Sequence, residues 1–400
     1  MKNIIEIKKL DHQGRGIGYI NNIITFIPNA LVEEQVEVKL TKQSKKYNEG
    51  EIISIVKKSN KRIIPECRFY PQCGGCQLQH LSYEDELIYK ENKIKEIMNK
   101  YASLDEKLIK KIIPNPDLNY RNKVVFHIDN EIGYYQEKTN QLIPIDHCLI
   151  ADNKINHILN ELKKMDLSMI NKAMIRVGKN DSLIVFYTDK EPVISDGLSS
   201  LVNNILLFDG ENHIVQGKDY LIEEIGNYKY KVSPESFFQV NTKGAERLYD
   251  LVLNYVKGSN KVLDLYCGVG SIGIYISSVV EEVVGVEINQ SAIEDALINK
   301  ELNKINNIEF INQDVSNYKI KDNFDTIIID PPRKGLDQIT IEYLLNSEAE
   351  RIIYIACDPI TLSRDLKLLS EVYNVVEVTP VDLFSRTYHL ECICLLNKIK

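Results

Sequence analysis

Cys357 stands in the stretch YIACDPITLSRDL, directly after an apolar run and directly before a helical one. A thiol placed there lies at the carboxyl edge of a strand. It also adjoins a helix amino terminus, whose dipole lowers the pKa of a neighbouring cysteine, so the position suits a nucleophile. A buried structural cysteine is the plainer alternative. Glu391, in SRTYHLEC, enters the last strand at the same edge and brings a carboxylate to the same rim. Upstream, YCGVGSIG contains Gly268-x-Gly270-x-x-Gly273, the glycine spacing of a strand-to-helix turn that lets backbone approach a nucleotide. The following strand ends in Glu287, where a carboxylate can accept both ribose hydroxyls of an adenosine. Loop and acid together specify adenosine without choosing between NAD and S-adenosylmethionine. A further strand, TIIID, runs into Asp330-Pro331-Pro332-Arg333, and an acid followed by prolines there is a methyltransferase feature for which a dehydrogenase has no use.

These groups need a scaffold, and the chain from about residue 231 reads as a regular one. Apolar strands are expected at KVLDLYC, EVVGVEI, IEFINQD, DTIIIDP, RIIYIAC and ECICLLN, with amphipathic helices such as SAIEDALINKEL between most of them. That alternation predicts a parallel sheet with helices on both faces, a Rossmann-like domain over 231–400. In an open sheet of this kind ligands bind beyond the carboxyl ends of the strands. Residues 1–60 carry short β-rich runs (GYI, IITFIP, EQVEVKL, EIISIV) between turn residues, which predicts a small OB-like β-barrel. Between the two, 61–230 mix a cysteine cluster, the helical stretch SYEDELIYKENKIKEIMNKY and strands such as KVVFHI and LIVFYT, a central α+β domain. The whole chain is thus expected to be multidomain α/β.

Composition narrows the class. Of 400 residues 44% are hydrophobic and 26% charged, and no apolar run approaches the ~18 residues of a membrane span, so a soluble cytoplasmic protein is expected. The net charge of −8 excludes a uniformly basic nucleic-acid binder, but residues 1–62 hold 12 Lys and Arg against 7 Asp and Glu. A basic module on an acidic body fits a protein that docks one end on phosphates. The eight cysteines are not expected to form disulfides in a reducing compartment, so the cluster in CRFYPQCGGC points to metal or catalysis.

In FFQVN, LDLYCGVGSIG, DPPRKGL, ACDPITLSRDL and DLFSRTYHLE, taken in this order, the chain resembles the RNA uracil-5 methyltransferases, specifically the three-domain bacterial type that acts on 23S ribosomal RNA. The resemblance covers essentially the whole chain, and the N-terminal barrel is similar to that family's TRAM domain. It implies that Cys357 adds to C6 of uracil and makes C5 nucleophilic, and that Glu391 later removes the C5 proton. It implies an S-adenosylmethionine site at Gln239, Tyr266, Gly268, Glu287 and Asp330, with Asp314 facing the adenine. It also implies a 4Fe–4S cluster on Cys67, Cys73, Cys76 and Cys148, although a zinc ion would use the same ligands. Phe69 and Tyr70 in the cysteine loop read as packing, and Arg121 and Lys123 in NYRNKVVF read as RNA contacts or, equally well, as a solvated strand face. A transfer RNA substrate, a non-catalytic RNA-binding protein and an NAD-dependent oxidoreductase are the competing readings. The oxidoreductase leaves Cys357, Glu391 and the basic barrel without a use.

Overall fold

A computed structural model describes residues 3–188, 190–318 and 323–399. The first six strands are β1 (Asn3–Glu6), β2 (Lys9–Leu10), β3 (Gly16–Ile20), β4 (Ile23–Ile27), β5 (Gln35–Gln43) and β6 (Asn48–Lys57). They form one sheet in the order β1-β5-β6-β4-β3-β2, around a small core of Ile5, Ile7, Ile27, Val36 and Val38. The expected closed barrel is not found. The two ends of the order are consecutive pieces of one segment, so the sheet curls back on itself, but no ladder joins them among the described residues. Between the two pieces, the Ile7 and Lys8 amides donate to Glu34 O and Ile17 O, on opposite edges of the sheet. The chain switches partners there instead of sealing the ladder.

The central region opens with α1 (Tyr83–Ile97), capped by Ser82. It continues through β7 (Lys123–Asp129), β8 (Glu131–Tyr135), β9 (Leu142–Pro144), α2 (Asn153–Leu162), β10 (Lys172–Val177), β11 (Ser182–Tyr187), α3 (Asp196–Leu201), β12 (Asn204–Phe208) and β13 (Asn212–Gln216). The seven strands form a sheet in the order β13-β12-β11-β10-β7-β8-β9, followed by the hairpin β14 (Leu221–Ile225) and β15 (Tyr228–Val232). No iron–sulfur domain as such is evident in this mixed sheet.

The last region comprises α4 (Thr242–Tyr255), β16 (Lys261–Leu265), α5 (Ser271–Ile276), β17 (Glu282–Glu287), α6 (Gln290–Leu302), β18 (Ile308–Asn312), β19 (Thr326–Ile329), α7 (Gln338–Leu345), β20 (Arg351–Ala356), α8 (Pro359–Leu369), β21 (Tyr373–Val381) and β22 (Glu391–Lys398). Its sheet runs β18-β17-β16-β19-β20-β22-β21, the Rossmann-like arrangement of a methyltransferase. Alternate residues feed two cores, as a sheet buried on both faces requires. Leu263, Val284, Ile327 and Tyr354 point to one and Val262, Val283, Ile328 and Ile353 to the other. The expected all-parallel sheet holds for five strands only, because β22 pairs antiparallel with both β20 and β21. Strand β21 was not anticipated from the sequence. Helix α1 also packs here, with Ile94 and Met98 joining the first of these cores.

Candidate active site

The antiparallel insertion of β22 builds the site. Ala356 of β20 pairs with Cys392 of β22, so one step further along the ladder Cys357 stands opposite Glu391. Asp330 follows β19, the next strand, and its amide donates to Leu265 O at 3.4 Å. Glu391 is 3% exposed, and burial together with the neighbouring Asp330 holds its carboxyl well above the usual range. Arg333, itself exposed, is the cation that opposes this at both Glu391 and Cys357.

Cys357 departs from the expectation of a thiolate. Burial first, and then the Glu391 carboxyl, push its pKa up to about 11. The helix terminus does not outweigh that burial, and α8 carries its own cap. Asp358 Oδ1 accepts the Ile360 and Thr361 amides at 2.8 and 3.0 Å, placing a carboxylate where the thiolate would draw on those donors. The resting group is a thiol.

At the other end of the rim, Tyr266 and Gly268 both take left-handed backbone, with φ of 62° and 54°. A Cβ on Gly268 would meet nothing within 4 Å, so this turn opens onto free space. Gly270, which starts α5 at φ 76°, has the opposite constraint, since a Cβ there would strike the Phe310 ring. Glu287 is bound to the loop it follows, accepting the Gly268 amide at 3.2 Å and the Asn289 amide at 2.8 Å. Asp314 caps the turn after β18 through the Ser316 amide and lies near enough to act on the Tyr266 hydroxyl. Gln239 is buried on a segment held from both sides. Asn122 Nδ2 donates to Gln239 O at 3.4 Å, and Asn241 Nδ2 donates to Leu383 O at 3.0 Å.

Two site residues were not singled out from the sequence. Asp264 is 1% exposed in the middle of β16, accepting the Gly273 amide through Oδ2 while Oδ1 has no partner. Burial and the nearby Asp330 raise its pKa to about 8, and burial raises that of Asp330 to about 7. The signal was available, because a carboxylate inside the apolar run KVLDLY needs a reason to be there. Arg333 was quoted within its motif but given no role.

Cys67, Cys73, Cys76 and Cys148 line one cavity of about 500 Å³. Burial, reinforced by the other thiols, pushes Cys73 up to about 11 and raises Cys76 and Cys148 as well. The Gly75 amide and Gln79 Nε2 donate to the Cys73 and Cys76 sulfurs at 3.5 and 3.6 Å. Among the described residues, no group of three or more His, Cys, Asp or Glu is arranged to hold a metal ion. Arg121 and Lys123 also line this cavity, as do Thr387 and His389, the latter two residues before Glu391.

The chain is similar to known proteins along nearly its whole length. Residues 201–399 match the family model described as tRNA (uracil-5-)-methyltransferase, and residues 4–53 match the TRAM domain. An RNA methyltransferase of Staphylococcus aureus is 34% identical, covering 97% of this chain and 96% of its own length. One from Clostridium tetani is also 34% identical, over 99% of this chain and 98% of its own. Among solved structures, the Pyrococcus abyssi tRNA (uracil-54, C5)-methyltransferase in complex with S-adenosyl-L-homocysteine superposes with a TM-score of 0.82 at 27% identity, covering 99% of both chains.

Proposed function

The chain belongs to the RNA uracil-5-methyltransferase family, and on that premise we propose that it moves a methyl group from S-adenosylmethionine to C5 of a uridine through a bond between Cys357 and C6. The observation that carries this reading is the β20–β22 register, which sets thiol and carboxylate side by side on the rim where the glycine loop opens.

Bound S-adenosylmethionine supplies an electrophilic methyl group on a cationic sulfonium. Gly268 gives it room, Glu287 takes the ribose hydroxyls, and Gln239, Tyr266 and Asp314 complete the adenosine and methionine contacts. Asp264 and Asp330, whose carboxyls burial raises to about 8 and about 7, would ionise beside the cation and become its counter-charges. The target uridine leaves its stack to reach the rim. Cys357 releases its proton to solvent as the sulfur adds to C6, and the C5=C6 pair shifts toward O4 as an enolate. C5 then takes the methyl and still carries its hydrogen. Glu391, which burial makes the stronger base once it has released its own proton, removes the C5 proton, the double bond re-forms, and the sulfur leaves C6. Arg333 favours both ionised forms.

The proposed RNA is 23S ribosomal RNA, on the sequence resemblance. A second reading, transfer RNA, is favoured by the likeness to the P. abyssi enzyme. Mapping 5-methyluridine in both RNAs from a deletion strain decides between them: one site is lost and returns on complementation. Retention of every site would overturn the proposal.

For the cysteine cavity we retain the 4Fe–4S reading. Four thiols line this cavity and two of them receive N–H donors, so they match the sulfur ligands of such a cluster in number and element, although they are not arranged around an ion in this structure. Protein purified without air should contain about four irons per chain, and Cys73→Ser should abolish the iron. One zinc and no iron would contradict this.

A further inference from the structure

The central sheet buries one face beneath α2 and α3, where Val124, Phe126, Ile175 and Phe186 point. On the other face the register aligns a single row across four strands: Phe208 of β12, Tyr187 of β11, Lys172 of β10 and His127 of β7. Tyr135 of β8 extends the row by stacking on His127, with ring centroids 4.0 Å apart and planes 25° from parallel. Lys172 Nζ stands 3.8 Å from the Tyr187 ring centre, and Tyr187 lies 5.2 Å from Phe208.

Ordinary packing accounts for one end of this row, where Tyr187 and Phe208 lean on Met174, Val185 and Leu206. It does not account for the other. There Tyr135 is 38% exposed and Val125 37% exposed, flanked by Lys123 on the same strand face. Aromatic faces interleaved with cations on an open sheet suit unpaired nucleotides, whose bases stack on the rings while phosphates meet the lysines. A duplex hides its base faces and cannot use such a row.

Placement links the row to catalysis. Lys123, His127 and Tyr135 line the cavity that Thr387 and His389 also line, and those two residues belong to the segment that leads into Glu391.

We propose that the open face of the central sheet is a stacking platform for the unpaired nucleotides flanking the target uridine. This rests on the reading of the chain as an RNA uracil-5 methyltransferase, which is tested separately by 5-methyluridine formation with the wild-type chain.

The probe is a fluorescent oligouridine about 12 nucleotides long, titrated by anisotropy against the full chain. Combining His127→Ala with Tyr135→Ala should weaken binding about tenfold, leaving S-adenosylmethionine affinity and the thermal midpoint unchanged. In case that variant unfolds, the same oligomer carrying 4-thiouridine is photo-crosslinked to the wild-type chain, and peptides containing Tyr135 or Tyr187 should carry the label. Undiminished oligouridine binding by the folded variant would overturn the proposal. So would crosslinks confined to residues outside β7, β8, β10 and β11.

Discussion

At the scale of single residues, burial raises two carboxyls of the candidate site far above the ordinary carboxylate range. Burial pushes Asp264 up to about 8, with Asp330 adding to the shift, and burial alone pushes Asp330 up to about 7. Their folded pKa values lie above those of an unfolded chain, so each costs stability as pH rises from about 4 toward the folded value. Asp264→Asn keeps an acceptor for the Gly273 amide and removes that cost. The variant should melt a few degrees higher than wild type at pH 8 without cofactor, with the gain vanishing near pH 4, while S-adenosylmethionine affinity falls at least tenfold in calorimetry. The same carboxyls predict that wild-type affinity for S-adenosylmethionine strengthens as pH rises from 6 to 8; a flat profile would contradict their role. Cys357, raised to about 11, should be alkylated slowly by iodoacetamide at pH 7 and about tenfold faster per pH unit above it. That thiol state was not legible in its sequence neighbourhood, because the helix terminus was visible there and the burial of Cys357 against Glu391 was not.

At the scale of elements, helix α1 fixes the segment that carries Glu391. Lys90, fully buried, donates to Glu86 Oε1 at 2.7 Å, Asp382 Oδ1 at 2.6 Å and Phe384 O at 3.2 Å. Glu86 also accepts the Arg386 amide at 2.8 Å, and Lys93 Nζ donates to Tyr388 O at 2.7 Å. The cysteine loop joins in, since the Gln77 and Leu78 amides both donate to Arg386 O. Lys90→Met strands two carboxylates in a dry environment, so unfolding in urea should show a loss of about 3–5 kcal/mol. A loss under about 1 kcal/mol would mean that the pair contributes little. None of this was legible in the chain, because Lys90 and Asp382 are 292 residues apart. What could be read was local. Five parallel strands announce themselves as continuous apolar runs, whereas β21 hides behind a register shift between Val375 and Glu377 and a proline at 380. β1 and β2 are too short to signal.

At the scale of the whole molecule, the proposed function gives each of the three large sheets a part in bringing one uridine to one thiol. The order of motifs along the chain revealed the family; the curled N-terminal sheet and the row on the central sheet needed coordinates. Removing residues 1–60 should weaken RNA binding and flatten its dependence on salt while sparing S-adenosylmethionine affinity, because phosphate contacts release counterions and adenosine contacts do not. An equally salt-sensitive truncation would contradict that division. The central claim is that all three regions serve a covalent cycle on uracil, and RNA with 5-fluorouridine at the target site tests it most directly. Fluorine cannot leave C5 as a proton, so the wild-type chain should methylate once and remain attached, migrating as a stable protein–RNA adduct whose mass maps to the peptide holding Cys357. Cys357→Ala should form no adduct, and Glu391→Gln should accumulate one even on ordinary uridine RNA. Turnover of the fluorinated RNA without an adduct, or an adduct that survives in Cys357→Ala, would contradict the account.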